Sequence, residues 1–126
     1  MKTKICSLLL LLCLTLTACQ EEKDHYYTEA RIVLQMPSGI VVNQLQGTLT
    51  LQNLNSQQTQ STADLTDGVF VVEVLRGAYK VDVEGMIGYT DDTGVPQIKH
   101  FRAHSDYVAL SDMPYSEVEL TITLLQ

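Results

Sequence analysis

Two hydrophobic patterns divide the chain. From Ile5 to Thr15 runs a leucine-rich, uncharged stretch of about 11 residues, entered through Met1-Lys2-Thr3-Lys4. From residue 28 onward the spacing changes to alternation. Ala30, Ile32, Leu34 and Met36 fall on one side of an extended chain, with Glu29, Arg31 and Gln35 on the other. Leu49 and Leu51 alternate with Thr48, Thr50 and Gln52. Tyr79, Val81 and Val83 alternate with Lys80, Asp82 and Glu84, and Val118, Leu120, Ile122 and Leu124 with Glu117, Glu119, Thr121 and Thr123. A period of two marks a strand with one buried face. Val69 to Leu75 is nearly continuous apolar and predicts a central strand covered on both faces. No window after the leader carries a helical stripe.

Turn chemistry separates these segments. Pro37-Ser38-Gly39, Asn53 to Ser56, Asp67-Gly68, Arg76-Gly77, Asp91-Asp92-Thr93-Gly94 and Ser111 to Pro114 supply the residues that set or tolerate turn backbones. Many strands, short turns and no helix predict an all-β fold: a single antiparallel β-sandwich of about seven strands over residues 28–126.

The leader has a different meaning. A membrane-spanning helix needs roughly 20 apolar residues, and this run is shorter, with a basic flank before it and small residues after it. It ends in Leu16-Thr17-Ala18-Cys19. The pattern predicts a secretory signal peptide over residues 1–18, closed by a lipobox, with lipid attached to the Cys19 sulfur. Cys6 and Cys13 leave with the signal, so Cys19 has no internal disulfide partner. An unmodified thiol is a liability in an oxidising compartment. Two or more acyl chains anchor a protein stably where one does not. Residues 19–27, with Glu21, Glu22, Lys23 and Asp24, then read as an acidic tether.

Charge narrows the partners. Losing Lys2 and Lys4 takes the formal charge from −7 to −9. That balance disfavours nucleic acid and anionic lipid headgroups as ligands.

Two resemblances add to this. Glu21, Glu22 and Asp24, just after Cys19, resemble the acidic export signal of Bacteroidota-type surface lipoproteins, which implies the outer membrane and its exterior face. The segment Asp67 to Gly85 reads G-x-F, a strand, then G-x-Y-x-V-x-V-x-G, with Gly47-Thr48-Leu49-Thr50-Leu51 and Thr59 to Thr62 upstream. It resembles the carboxypeptidase-regulatory-like, transthyretin-like (Ig-like) sandwich domain, and the N-terminal module of uncharacterised lipoproteins of the same bacteria. The resemblance implies a non-enzymatic spacer, stabiliser or recognition module. The residues of the motif have structural roles to fill. Gly68 after Asp67 suits a tight hairpin with positive φ. Phe70 plugs the core, Gly77 frees the next turn, and Tyr79 enters a strand with its hydroxyl seeking a backbone partner. Asp64 precedes Gly68 by four residues where the family has three, which predicts a longer or bulged turn.

Other groupings are weak. His100 and His104, on an extended strand, stand about 13 Å apart and cannot share one ion without a bend. Asp91-Asp92-Thr93-Gly94 lacks the spaced carboxylates and closing glutamate of a calcium loop and reads as a hairpin turn. Tyr89 and Tyr115 fit rim or packing positions, with sugar stacking as the alternative. There is no G-x-S-x-G elbow, phosphate loop or reactive cysteine. The expectation is therefore no catalytic residue, metal or cofactor. The chain reads as a non-catalytic binding or accessory module, anchored in the membrane by its N-terminal lipid, with a surface complex or transporter as partner. The alternative is a fimbrial or adhesin-like subunit that assembles by strand addition, suggested by the long apolar strand Val118 to Leu125.

Overall fold

The computed structural model describes residues 26–125, and every regular element in them is a strand. Nine are formed: β1 (Tyr27–Gln35), β2 (Val41–Asn53), β3 (Thr59–Thr62), β4 (Leu65–Thr66), β5 (Val69–Leu75), β6 (Gly77–Thr90), β7 (Pro96–Leu110), β8 (Tyr115–Thr121) and β9 (Thr123–Leu124). They make two sheets, ordered β4-β5-β1-β8 and β3-β2-β6-β7-β9, packed face to face as a β-sandwich. The count exceeds seven because β4 and β9 are two-residue strands, formed where the chain passes from one sheet to the other.

The alternation read from the sequence is the burial pattern. Ala30, Ile32 and Leu34 of β1, Leu49 and Leu51 of β2, Val81 and Val83 of β6, and Leu120 all face the core. Burying each of the valines, leucines and the isoleucine contributes roughly 1.5–3 kcal/mol, and the Ala30 methyl less. β1 takes in Tyr27, one residue of the stretch expected as tether.

Three features differ from expectation. The sandwich is not wholly antiparallel, because β8 pairs parallel to β1, with Ile32 opposite Val118 and Leu34 opposite Leu120. β8 reaches this position from β7 in the other sheet, through the turn at Ser111 to Pro114. A parallel neighbour requires such a crossover. Second, β5 is not covered on both faces: Phe70 and Val74 are buried, while Val71 is 47% and Leu75 43% exposed. Nothing among the described residues packs on the outer face of its sheet, so alternate residues meet solvent whatever their type. Third, Val118 to Leu125 is not one strand. The chain passes from β8 to β9 at the buried Ile122, and each half is paired, β8 with β1 and β9 with β7.

A pair of glycines shapes the middle of the core. Gly47 of β2 stands opposite Gly85 of β6, and Gly85 opposite Phe101 of β7. Phe101 and Phe70 are both fully buried. A Cβ on Gly47 would lie 3.2 Å from Phe101 Cζ and 3.7 Å from Phe70 Cζ. The two glycines thus leave room for aromatic rings that cover their backbone, which a flat pair of β-branched residues would not.

Candidate functional site

The motif residues hold the positions that carry chain reversals and core, and they do not meet in one site. Asp67 and Gly68 both have positive φ, 53° and 77°, and Thr66 pairs with Val69 across them. This is a two-residue hairpin of the I′ kind, so the turn before Phe70 is tight and not the longer one that the Asp64 spacing predicts. Tyr79 donates its hydroxyl hydrogen to the Leu75 carbonyl oxygen at 2.7 Å, the backbone partner expected of it. Gly77 begins β6 at the passage from one sheet to the other. It does not take a left-handed conformation, and a Cβ there would make only ordinary contact with the Asn53 amide, so that turn does not require glycine. Cys19, Leu16, Thr17, Ala18, Glu21, Glu22 and Asp24 lie outside the described residues.

The weaker groupings resolve into surface structure. His100 and His104 share the outer face of β7 with Arg102 between them, opposite Met86 and Asp82. His104 Nε2 lies 2.7 Å from Asp106 Oδ1, and this hydrogen bond holds the Asp106 carboxyl below its ordinary range. Arg102 contacts Asp82 at 3.2 Å and Glu84 at 4.0 Å, which raises its guanidinium further. Such exposed pairs contribute little to stability. Among the described residues, no group of three or more acidic, histidine or cysteine side chains could hold a metal. In the Asp91 loop one carboxylate oxygen accepts the amide hydrogens of Thr93 (3.0 Å) and Val95 (2.9 Å) and the Thr93 hydroxyl (2.6 Å). These bonds, led by the Thr93 side chain, lower its pKa. The carboxylate is thereby committed to the turn. Tyr89 is buried in β6, and Tyr115 opens β8 with the Arg31 guanidinium 3.8 Å over its ring.

One polar cluster escaped the sequence reading. Thr28 and Ser116 are almost wholly buried. Thr28 Oγ1 donates to the Asp112 carbonyl at 2.6 Å, and the Asp112 amide donates to Ser116 Oγ at 2.9 Å. The cluster fastens the crossover turn to β1. A threonine and a serine at positions of the buried face are the only signal in the sequence.

The site with the features of recognition is the edge of β2. β3 pairs only with Leu49 to Gln52. Val41 to Thr48, eight residues, have no strand beside them on that side among the described residues. The chain leaves this edge after Thr62, turns through Ala63 and Asp64, and enters β4 in the other sheet. Two clefts of about 450 Å³ each lie along the gap and share Leu45 and Leu65. One continues to Gly47, Thr48 and Met86, the other to Leu34, Met36 and Gly68. A bulge at Asn43 shifts the register, and beyond it Leu45 and Gly47, opposite Ile87 and Gly85, face the inter-sheet side while Gln44, Gln46 and Thr48 face outward. Other edges among the described residues are also incompletely paired: β9 covers only Phe101 and Arg102 of β7, β8 has a neighbour on one side only, and the β5 edge is partly capped by Gln60, which donates to the Glu73 carbonyl at 3.2 Å; neither cleft of the β2 gap lies along them.

Comparison with protein-family models, with curated proteins and with solved structures found no match to this chain.

Proposed function

We propose that the chain is a lipid-anchored outer-membrane lipoprotein whose β-sandwich acts at the cell surface as a non-catalytic binding or accessory module. Its address rests on the lipobox at Cys19 and the acidic residues after it. The observation that carries the binding role is the unfilled edge of β2 with two clefts beside it, lined by Leu45, Leu65 and Met86 together with Gln44, Gln46, Thr48, Asp67 and Glu84. An exposed, unpaired strand is a liability that proteins ordinarily cover or charge, and leaving one beside a cleft suits a ligand.

The anchor is tested by Cys19→Ala in cells. The variant is expected to move from the membrane fraction to the soluble one, and the parent chain to be cleaved by protease added to intact cells. A variant that stays with the membrane refutes the anchor, and a parent chain that resists protease in intact cells but not in lysed ones refutes the exterior face.

The alternative, a fimbrial or adhesin-like subunit, retains one specific observation, the same β2 edge as an acceptor. Val118 to Leu124 is engaged within its own sandwich, so it is not a spare donor strand. Polymer ladders on unheated gels would favour this reading.

A further inference from the structure

We propose that the β2 edge binds an extended, basic polypeptide segment by strand addition, the segment lying antiparallel to β2 in line with β3. The inference deepens the binding-module reading and gives it a site and a ligand class. It stands on three observations. The first is length: of the eight unpaired residues, Gln44 to Thr48 run in unbroken register up to the bulge at Asn43 and alone span about 17 Å, the length of a typical strand. Alternate residues along such an edge direct their N–H and C=O groups outward, where an incoming backbone can meet them. The second is shape. β3 already sets the direction and spacing of a neighbour, and where it departs the space it leaves is the pair of clefts, with Leu45 and Leu65 between them. Inward side chains of an added strand, every second one, would enter there and cover those leucines. Outward side chains would lie beside Gln44, Gln46 and Thr48, which are exposed. Main-chain bonds supply affinity in this mode and alternate pockets supply selectivity.

The third observation is charge. Asp67 and Glu84 line the clefts, no lysine or arginine does, and the chain as a whole carries −7. Arg102 pairs with Glu84 at 4.0 Å and with Asp82 at 3.2 Å, so one guanidinium faces two carboxylates there, and Asp67 has no ion pair among the described residues. The site is therefore complementary to a segment that alternates apolar and basic residues. It is less suited to a second copy of this acidic chain, whose own β2 edge carries no basic residue.

The test uses the full chain in mild detergent and a dye-labelled octapeptide of alternating valine and lysine, with fluorescence anisotropy for binding and hydrogen exchange for location. Saturable binding below about 1 mM is expected, weakened at least tenfold by glutamate in place of lysine and by added salt. Methylating alternate backbone nitrogens on the paired side of the peptide keeps its side chains and charge but removes edge donors. It too is expected to weaken binding at least tenfold. Protection should rise at the alternate residues of Val41 to Thr48 whose N–H points away from β6, and stay unchanged at Leu49 to Gln52, which β3 already shields. Leu65→Lys, placing a cation between the clefts, should weaken binding comparably. Equal binding of the methylated peptide, protection elsewhere in the chain, or no binding would each overturn the proposal. So would protection of Val41 to Thr48 that rises with protein concentration alone, since the edge would then pair with a second copy. None of these outcomes bears on the anchor, which the Cys19→Ala fractionation reads separately.

Discussion

The glycine pair between β2 and β6 makes a graded prediction. A methyl group on Gly85 would run into the Gln46 carbonyl oxygen, and would stand 2.7 Å from the Gly47 Cα and 2.8 Å from Phe101 Cε1. Two of these three neighbours are backbone of a paired strand, which cannot swing aside as the end of a side chain can. Overpacking of this kind costs about 1–3 kcal/mol. The reduced freedom of alanine in the unfolded chain returns about 0.4–1 kcal/mol. With backbone on two sides the upper end of that cost applies, so Gly85→Ala is expected to destabilise by about 2 kcal/mol after the return, which for a domain near 100 residues lowers Tm by roughly 10 °C. Gly47→Ala meets the Glu84 carbonyl and Phe101 at 3.2 Å and should fall between Gly85→Ala and the parent. Gly88→Ala is the control in the same strand. Its nearest neighbour is Gln44 Cβ at 3.6 Å, an ordinary contact, so it should be neutral or slightly stabilising. Urea unfolding followed by far-UV circular dichroism ranks the three. If Gly85→Ala matched the parent, or Gly88→Ala cost as much as Gly85→Ala, the claim that the two aromatic rings require bare backbone beneath them would fail.

Two further outcomes follow from local hydrogen bonding. Ser116→Ala removes the acceptor of the Asp112 amide and should cost about 1–3 kcal/mol in urea unfolding; a loss under about 0.5 kcal/mol would mean water replaces the hydroxyl. The pKa of Asp91 is lowered in the folded chain, so its contribution is present above the ordinary carboxylate value of 3.8 and is lost as pH falls through the lower folded value. Amide resonances of Thr93 and Val95 should therefore hold steady from neutrality to pH 5 and titrate below 3.8, and a midpoint at or above 3.8 would contradict the bonding described.

Much of this molecule was written locally. Period-two alternation marked which side chains of β1, β2, β6 and β8 enter the core, because a strand with one wet face needs nothing more distant than its own pleat to declare it. Asp67-Gly68 declared its hairpin, since few residues other than glycine, asparagine and aspartate tolerate consecutive positive φ. Tyr79 declared a buried ring with a hydroxyl in need of an acceptor. The alternation through Tyr79, Val81 and Val83 marked the strand but not its extent, since β6 continues through Gly85 to Thr90.

What the tertiary structure alone decided is who stands beside whom. Alternation does not say whether a strand has a neighbour on one edge, on both, or on the far sheet. The parallel seat of β8 beside β1, the exposure of Val71 and Leu75, and the bare edge of β2 all follow from that choice. Pairing joins residues far apart in the chain, and its outcome depends on where every other segment has already packed. The buried faces of β1, β2, β6 and β8 are thus legible in their own residues, while the edge on which recognition is proposed exists only because β3 turns away at Thr62 and leaves the rest of β2 unaccompanied.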